Sequence, residues 1–426
     1  MKNLARKALA VTLACTGVNL VLGLLYSWSV IARFLREIHG FTAVESQIPY
    51  MIACGIFAIL MVPGGRLQDK IGPKYVIMFS GIFAGIGLIV SSFVITVVGL
   101  SIFFGVVFGT AIGLGYASAT PPVMKWYGPE KRGLVTGIVV AGFGCASVYA
   151  APLTNFLIEN FGLTNAFLFL GTAFLILILL LAQLISDPPY GYNPANGTLK
   201  ASQESIAQED KEEQKKSKQK EFEWYEMLRT PQFYMLWFMF FFGALGGLMI
   251  IGQLSSIALE QAGVELGFIL VAVLAVFNAS GRIIAGTVSD KIGRANTMLI
   301  IFVAQALNFM VFSMYTGMGT LILGAAITGF CYGACLSVFP AATADLFGVK
   351  NLGVNYGLVF TSWGAGGVFG GLVGGIIRDL SGAYLGAYLV AAVLCVIGAG
   401  LTFLIRSPMP ADIKTEHKPK AQEKRV

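Results

Sequence analysis

The 426-residue sequence is short of charge, since only 12% of its residues are Asp, Glu, Lys or Arg while 56% are hydrophobic. Ordinary soluble domains carry roughly 25% charged residues, so the deficit excludes a soluble protein of this length. Histidine is scarce as well, with two residues, and neither a Walker-type Gly-Lys-Ser/Thr sequence nor a cluster of metal ligands occurs. We therefore expect no enzyme chemistry, no metal site and no cofactor.

Positive charge is in excess, with a net charge of +7, which in a soluble protein would suggest phosphate binding. Its distribution argues against this, because Lys and Arg are confined to short turns and to the ends of the chain. No basic face with interleaved aromatic residues occurs, so we exclude nucleic acid as a partner. The six cysteines all fall in apolar stretches and are interpreted as small buried hydrophobic residues.

Long apolar runs are the main feature of the sequence. They recur with Gly, Pro and short basic turns between them, and a run of about twenty residues is long enough to cross a bilayer. Twelve such spans are predicted, at residues 8–32, 46–67, 75–97, 99–124, 133–158, 164–185, 232–259, 264–288, 296–315, 319–345, 353–377 and 383–405. The sequence thus predicts an all-α membrane protein of twelve transmembrane helices, in two six-helix bundles with a pseudo-twofold arrangement.

A charged segment separates the sixth span from the seventh. It opens with Asp-Pro-Pro at Asp187 and contains the highly charged run Lys211–Lys220. This composition cannot bury enough apolar area to fold alone, so we expect a tether with a short surface helix before Trp224. The predicted division is a six-helix bundle over 1–186, a cytoplasmic linker over 187–229, a second bundle over 230–406 and a cytoplasmic tail over 407–426.

Orientation follows from the tendency of Lys and Arg to stay on the cytoplasmic side of a membrane. If both termini are cytoplasmic, the inner segments hold 25 of the 29 Lys and Arg residues. The outer ends then hold only Arg33, Arg36 and Arg378, and Arg282 lies within a span. We predict a multi-pass protein of the inner (plasma) membrane with both termini in the cytoplasm.

A motif occurs once in each half of the chain. Gly65-Arg-Leu-Gln-Asp-Lys-Ile-Gly-Pro-Lys74 returns 221 residues later as Gly286-Thr-Val-Ser-Asp-Lys-Ile-Gly-Arg294. Both copies close the second span of their half, where Gly permits a tight turn and the charged residues pair with helix ends. The common register indicates duplicated halves. A conformational role is predicted for the motif and for a basic residue before span five, namely Gly65, Asp69, Lys70, Gly286, Asp290, Lys291 and Arg132.

This turn motif resembles the loop signature of the major facilitator superfamily, and the resemblance covers nearly the whole chain. It implies two bundles that rock about a central substrate site, giving alternating access from either side of the membrane. The bilayer is accordingly an expected partner, and the chain is expected to function as a monomer.

Two further sequences narrow the resemblance. Trp126-Tyr-Gly-Pro-Glu-Lys-Arg-Gly133, followed by the glycines of span five, resembles the fifth-helix signature of monocarboxylate transporters and their bacterial relatives. Met227-Leu-Arg-Thr-Pro-Gln-Phe233, together with Asn278 and Arg282 in span eight, resembles the oxalate/formate antiporters, a bacterial branch near those carriers. In both groups an arginine of helix eight binds the substrate carboxylate, which implies this role for Arg282.

Arg282 is also the one charged residue deep in a predicted span, eight residues before Asp290 and therefore roughly 12 Å below the cytoplasmic surface. A guanidinium at that depth is costly and normally faces a cavity with a function. No Asp or Glu lies deep in a span to pair with it, which favours a substrate carboxylate as its partner. Asn278, one turn earlier, either holds the substrate, orients the guanidinium or bonds between helices.

Further residues that line the predicted site come from five other spans: Tyr26, Trp28, Tyr116, Gln253, Tyr332, Ser362 and Trp363. A pocket for a small organic acid needs apolar walls and a few hydroxyl donors, although packing is the alternative for each aromatic residue. Trp363 aligns with a second cationic residue of the oxalate/formate antiporters. One cation suits one carboxylate, because a dicarboxylate would keep a charge unneutralised in a low-dielectric site.

The sequence thus leads us to expect a secondary active transporter of small monocarboxylates such as lactate or pyruvate. Proton-coupled symport is implied by the resemblance alone, because animal monocarboxylate carriers have an Asp where this chain has Asn278. Small carboxylate anions and protons are therefore the expected partners. Exchange of carboxylates, as in oxalate/formate antiporters, stays open, and so does a membrane sensor on the same fold.

The predicted orientation is testable with Gln208→Cys in the linker. Because this position is expected in the cytoplasm, a membrane-impermeant thiol reagent should leave it unmodified in intact cells and modify it after permeabilisation. His39→Cys, between the first two spans, should react from outside and serves as the control. Modification of the Gln208→Cys protein in intact cells would reject the topology.

Overall fold

The structure is a computed structural model that describes residues 2–127, 129–189, 192–193, 198–199, 221–348 and 351–405. The charge run Lys211–Lys220 and the tail 407–426 lie outside the described residues. So does the side chain of Arg132, and its predicted conformational role stays a prediction.

The described residues of the first half form seven α-helices, a 3₁₀ turn and a π-helical stretch. They are α1 (Lys2–Leu22), a 3₁₀ turn (Gly23–Ser27), α2 (Trp28–His39), α3 (Ala43–Ile71), α4 (Pro73–Ser91), α5 (Val97–Leu100) with a π-helical stretch (Ser101–Phe108) and α6 (Gly109–Trp126), and α7 (Pro129–Leu184). The predicted first span is therefore interrupted by the 3₁₀ turn. In the predicted linker, a two-residue antiparallel pair joins β1 (Tyr192–Asn193) and β2 (Thr198–Leu199).

The second half begins with α8 (Trp224–Met227). A short helix was expected before Trp224, but residues 221–223 are not helical, and residues 200–220 lie outside the described residues. It continues with α9 (Pro231–Ala262), α10 (Gly267–Ile292), α11 (Arg294–Val311), a 3₁₀ turn (Phe312–Met314), α12 (Met318–Phe347), α13 (Leu352–Ser381) and α14 (Leu385–Leu401). The expectation of an all-α fold is confirmed.

In the described part of the chain, ten helices are long and apolar enough to cross a membrane. One of them lies within α7, whose 56 residues would extend about 84 Å at 1.5 Å per residue. That is too long for one crossing, and Gly162, with φ of 80° and ψ of 164°, divides the helix where the fifth and sixth spans were predicted to meet. α14 has only 17 residues. The count of twelve spans stays a prediction.

The duplicated motif forms the same turn in both halves. Gly72 and Gly293 follow α3 and α10 with φ of 87° and 89°, a region that residues with a Cβ seldom adopt. Their N–H groups close the preceding helices on Gln68 and Ser289. In the second half, Arg294 pairs with the motif's Asp290 at 2.6 Å.

The two halves pack closely where α3 meets α13. A Cβ atom added at Gly364 would lie 2.4 Å from the Cβ of Ala58, and one at Gly367 would lie 2.6 Å from the Cβ of Cys54. Such distances are below van der Waals contact, so only glycine allows these helices to approach this far. α7 and α10 form a second contact between the halves.

At the end of the molecule where α2 finishes, charged side chains link the halves. We call this the distal end. Arg36 of α2 pairs with Glu260 of α9 at 2.6 Å, and Glu260 also pairs with Arg378 of α13. Nearby, the Asp379 carboxylate accepts the backbone N–H groups of Ala43 and Val44 at 2.8 and 2.9 Å. Asp379 thus satisfies the N-terminus of α3 from the opposite half.

We predict that Glu260→Gln loosens the distal end. The paired side chains of Arg36 and Glu260 are 18% and 23% exposed, so the pair contributes about 1 kcal/mol, or roughly fivefold in an opening equilibrium. Ser255→Cys reports on opening, because Ser255 is buried against Ser29 of the other half. Its modification by an impermeant thiol reagent should accelerate several-fold.

Asp187→Asn is the matched control for this experiment. It removes the pairing of Lys125 with Asp187 at 2.8 Å, which does not join the two halves, and should leave the modification rate unchanged. Equal rates with Glu260 and with Gln at this position would show that the distal pairs do not hold the halves together.

Candidate functional site

Arg282 lies on α10 and is 5% exposed. Its Nε donates to Oδ1 of Asn278, one helical turn earlier, at 3.1 Å. Asn278 is itself fully buried. The amide oxygen therefore orients the guanidinium along the helix, which is one of the roles considered for Asn278 from the sequence.

The guanidinium reaches from the second half to the first. Its Nη1 donates to the backbone carbonyl of Val140 on α7 at 2.7 Å. Among the residues that the structure describes, no carboxylate lies within 4 Å of Arg282, and Nη2 has no hydrogen-bond partner. Nδ2 of Asn278 likewise has no hydrogen-bond partner in the described part of the chain. Two buried donors on one helix face are thus left to bind an acceptor from elsewhere.

Tyrosines surround this cation. Tyr26, Tyr116, Tyr332 and Tyr356 lie near enough to interact electrostatically with Arg282, and the Tyr116 hydroxyl also faces the guanidinium as a side-chain hydrogen-bonding group. The hydroxyls of Tyr26 and Tyr332 are 2.7 Å apart and join the two halves. Nε1 of Trp363 donates to the Tyr332 oxygen at 2.6 Å. The indole of Trp363 can only donate, and the bond between the two tyrosines uses one of their two hydroxyl protons. The second hydroxyl proton therefore remains to donate to a ligand.

Aromatic rings from both halves form the walls. Phe143 of α7 packs edge-on against Tyr26 and Tyr116 with centroid distances of 4.9 and 5.3 Å. Phe57 of α3 lies 5.0 Å from Trp363, and Phe360 stacks on Trp363 at the same distance. The result is an apolar enclosure with hydroxyl groups, as sites for small organic ligands have.

The sequence reasoning missed Tyr356, Phe360, Phe57 and Phe143. A signal for the first two was present, because positions 356, 360 and 363 follow one face of a helix and all are aromatic. Phe57 and Phe143 carried no such signal, since each is one apolar residue in an apolar span.

The structure brings together Arg282, Asn278, Tyr26, Tyr116, Tyr332 and Trp363, and gives the other predicted residues different neighbours. Trp28 donates to the Ser46 carbonyl at 2.9 Å and packs on Phe104. Ser362 donates to the Val359 carbonyl of its own helix at 2.7 Å. Gln253 is buried, and both of its amide atoms lack a partner among the described residues. Roles of these three in binding remain predictions.

The arrangement is suited to binding an anion. It offers one fixed positive charge, neutral donors and aromatic walls, and a carboxylate fits the planar fork of a guanidinium. Within the described part of the chain, no group of three His, Cys, Asp or Glu side chains is placed to hold a metal ion.

Comparison with protein families gives an extensive match. A family model described as Major Facilitator Superfamily matches residues 8–318 and 269–425. The structure is also similar to that of a D-xylose–proton symporter, with a TM-score of 0.70, 13% identity and coverage of 94% of this chain and 98% of that one. At this identity the likeness concerns the fold, and it confirms the expected arrangement of two related helical bundles.

Two curated relatives fit the finer resemblance. The chain is 30% identical to an oxalate:formate antiporter of Oxalobacter formigenes over 368 residues, or 85% of this chain and 82% of that protein. It is 27% identical to monocarboxylate transporter 13 of Rattus norvegicus over 161 residues, or 37% of each protein. The resemblance inferred from the sequence motifs is therefore confirmed.

Proposed function

The chain belongs to the Major Facilitator Superfamily, and on this premise we propose that it carries small monocarboxylates, with Arg282 binding the carboxylate group. It is a transporter rather than an enzyme, and a membrane protein that crosses the bilayer several times.

The observation that carries the proposal is the pair of unpaired donors at the centre of the site. Nη2 of Arg282 and Nδ2 of Asn278 are buried without a partner among the described residues. A buried donor left unsatisfied costs about 1–3 kcal/mol, and more when it is charged. A carboxylate supplies both the negative charge and the acceptor oxygens, so its binding relieves this cost.

A single carboxylate is favoured over two because of Trp363. This side chain is buried, donates to Tyr332 and stacks on Phe360, at the position where the resemblance to oxalate/formate antiporters implies a second cation. A dicarboxylate at this site would leave one charge against aromatic rings, at a cost of several kcal/mol. Lactate and pyruvate, with one carboxylate and a small apolar end, suit the site better.

The mode of transport has two candidates. Proton-coupled symport is what the resemblance to monocarboxylate transporters implies. Exchange of one carboxylate for another is the second, and a specific observation favours it: the residue that holds Arg282 is Asn278, whose amide does not titrate. The 30%-identical relative is named as an antiporter, which supports exchange. The two candidates differ in whether a pH gradient or internal substrate drives uptake.

We predict that Arg282→Lys loses most transport and Arg282→Gln nearly all. Lysine keeps the charge but lacks the planar fork that holds a carboxylate by two parallel N–H bonds. Loss of a charge-assisted bond costs about 1.5–3 kcal/mol, or roughly ten- to hundredfold in affinity. Uptake of labelled lactate and pyruvate into proteoliposomes measures the effect, and Asn278→Ala should do less harm than either variant.

Arg229→Lys is the matched control, because Arg229 is exposed in the turn before α9 and its replacement should leave uptake unchanged. Near-normal lactate binding by folded Arg282→Gln protein would remove the proposed role of Arg282. The buried cation would then serve only to link the halves through Val140.

We also predict that oxalate is not carried and that Trp363→Lys shifts preference toward dicarboxylates, since the new cation would meet the second carboxylate. Labelled lactate, pyruvate, formate and oxalate should be compared, with and without an imposed pH gradient. Trp363→Phe controls for loss of the bond to Tyr332 without adding charge. Efficient oxalate exchange by the unmodified protein would contradict the argument from Trp363.

A further inference from the structure

The side chain of Arg282 is held by a bond that crosses between the two halves. Its Nη1 donates to the carbonyl oxygen of Val140, and Val140 lies on α7 whereas Arg282 lies on α10. A carbonyl oxygen carries no net charge. The bond therefore fixes the direction of the guanidinium and leaves its positive charge uncancelled.

Gly144 lies one helical turn after Val140 on α7. A Cβ atom added there would lie 3.3 Å from Cζ and Nε of Arg282 and 3.5 Å from Nη2, and these three atoms are its nearest contacts. Helical side chains lean toward the N-terminus and cover the preceding turn. A side chain at position 144 would thus stand beside the Val140 carbonyl, and glycine leaves this carbonyl open to Arg282.

Two other glycines of α7 have different surroundings. Among the described residues, a Cβ added at Gly137 meets nothing within 4 Å. One added at Gly142 would lie 2.7 Å from the carbonyl oxygen of Thr16, which belongs to α1 of the same half. Of these three glycines, Gly137 has no close neighbour among the described residues, Gly142 packs within the first half and Gly144 lies against Arg282.

We infer that Gly144 is a positioning residue for the substrate carboxylate. By keeping the Val140 carbonyl accessible, it lets Arg282 present its unpaired Nη2, beside Nδ2 of Asn278, to the substrate. This inference rests on the proposed function. It makes recognition depend on both halves, because separation of α7 from α10 breaks the bond to Val140 and frees the guanidinium from its orientation.

The first test compares Gly137, Gly142 and Gly144 of α7 by uptake of labelled pyruvate. Gly144→Ala should raise KM roughly tenfold, the loss expected for one hydrogen bond to a charged group, with a smaller change in maximal rate. Gly137→Ala should change neither value. Gly142→Ala should reduce the amount of folded protein and leave the KM of the folded fraction unchanged.

The effect of Gly144 must act through Arg282. In an Arg282→Lys background, Gly144→Ala should therefore add little, because lysine has no planar fork to rest beside Gly144. An unchanged KM in the Gly144→Ala protein, or an equal rise of KM in both backgrounds, would overturn the inference.

The second test does not depend on the substrate. Gly144→Asp places a carboxylate within reach of the guanidinium, so Arg282→Gln should lower Tm by more in the Gly144→Asp protein than in the parent. The same comparison with Gly137→Asp should show no difference. Tm measured for the Gly144→Ala and Arg282→Lys combinations gives a second cycle if the Asp variant does not fold.

The two tests separate failure of the inference from failure of the proposed function. If pyruvate and lactate are not carried but the Tm coupling is present, the monocarboxylate proposal is wrong and the contact of Gly144 with Arg282 stands. If the carboxylates are carried but both cycles are additive, Gly144 has no positioning role.

Discussion

A buried guanidinium without a carboxylate partner among the described residues is the constraint on which the centre of this protein depends. Removing such a charge from water is expensive unless hydrogen bonds compensate. The fold supplies two neutral oxygens, the Asn278 amide and the Val140 carbonyl. Neutral acceptors stabilise the cation without cancelling its charge, so the site keeps its attraction for an anion while the protein remains foldable.

The duplicated halves use equivalent positions for unlike purposes. At the 221-residue spacing of the repeat, Asn278 corresponds to Phe57 and Arg282 to Met61. Phe57 packs against Trp363 on the wall of the site, whereas Asn278 holds the cation. The turns at Gly72 and Gly293 are alike in the two halves and preserve the scaffold. Where Phe57 in one half corresponds to Asn278 in the other, the symmetry is lost, and the site has one polar side and one aromatic side.

Features set by local chemistry were predictable from the sequence. The glycine turns after α3 and α10 and the isolated Arg282 follow from residue type and depth in an apolar run. The distal pairing of Arg36 with Glu260 was not predictable, since its partners lie more than two hundred residues apart. Nor was the role of Val140, because a backbone carbonyl has no signature in the sequence. The 3₁₀ turn in span one likewise has no composition signal, since Gly23–Ser27 lies within an apolar run.

The uncancelled charge of Arg282 has an electrical consequence. A carrier loaded with one carboxylate is neutral at its centre, whereas the unloaded form carries a full positive charge there. A unit charge that moves through the whole membrane field gains or loses about 2.3 kcal/mol per 100 mV. When the halves rock, the charge of Arg282 crosses only part of the field, so its energy changes by a fraction of that amount. In symport, voltage therefore acts on the return of the unloaded carrier. In exchange, where the carrier is loaded in both directions, voltage leaves transport almost untouched.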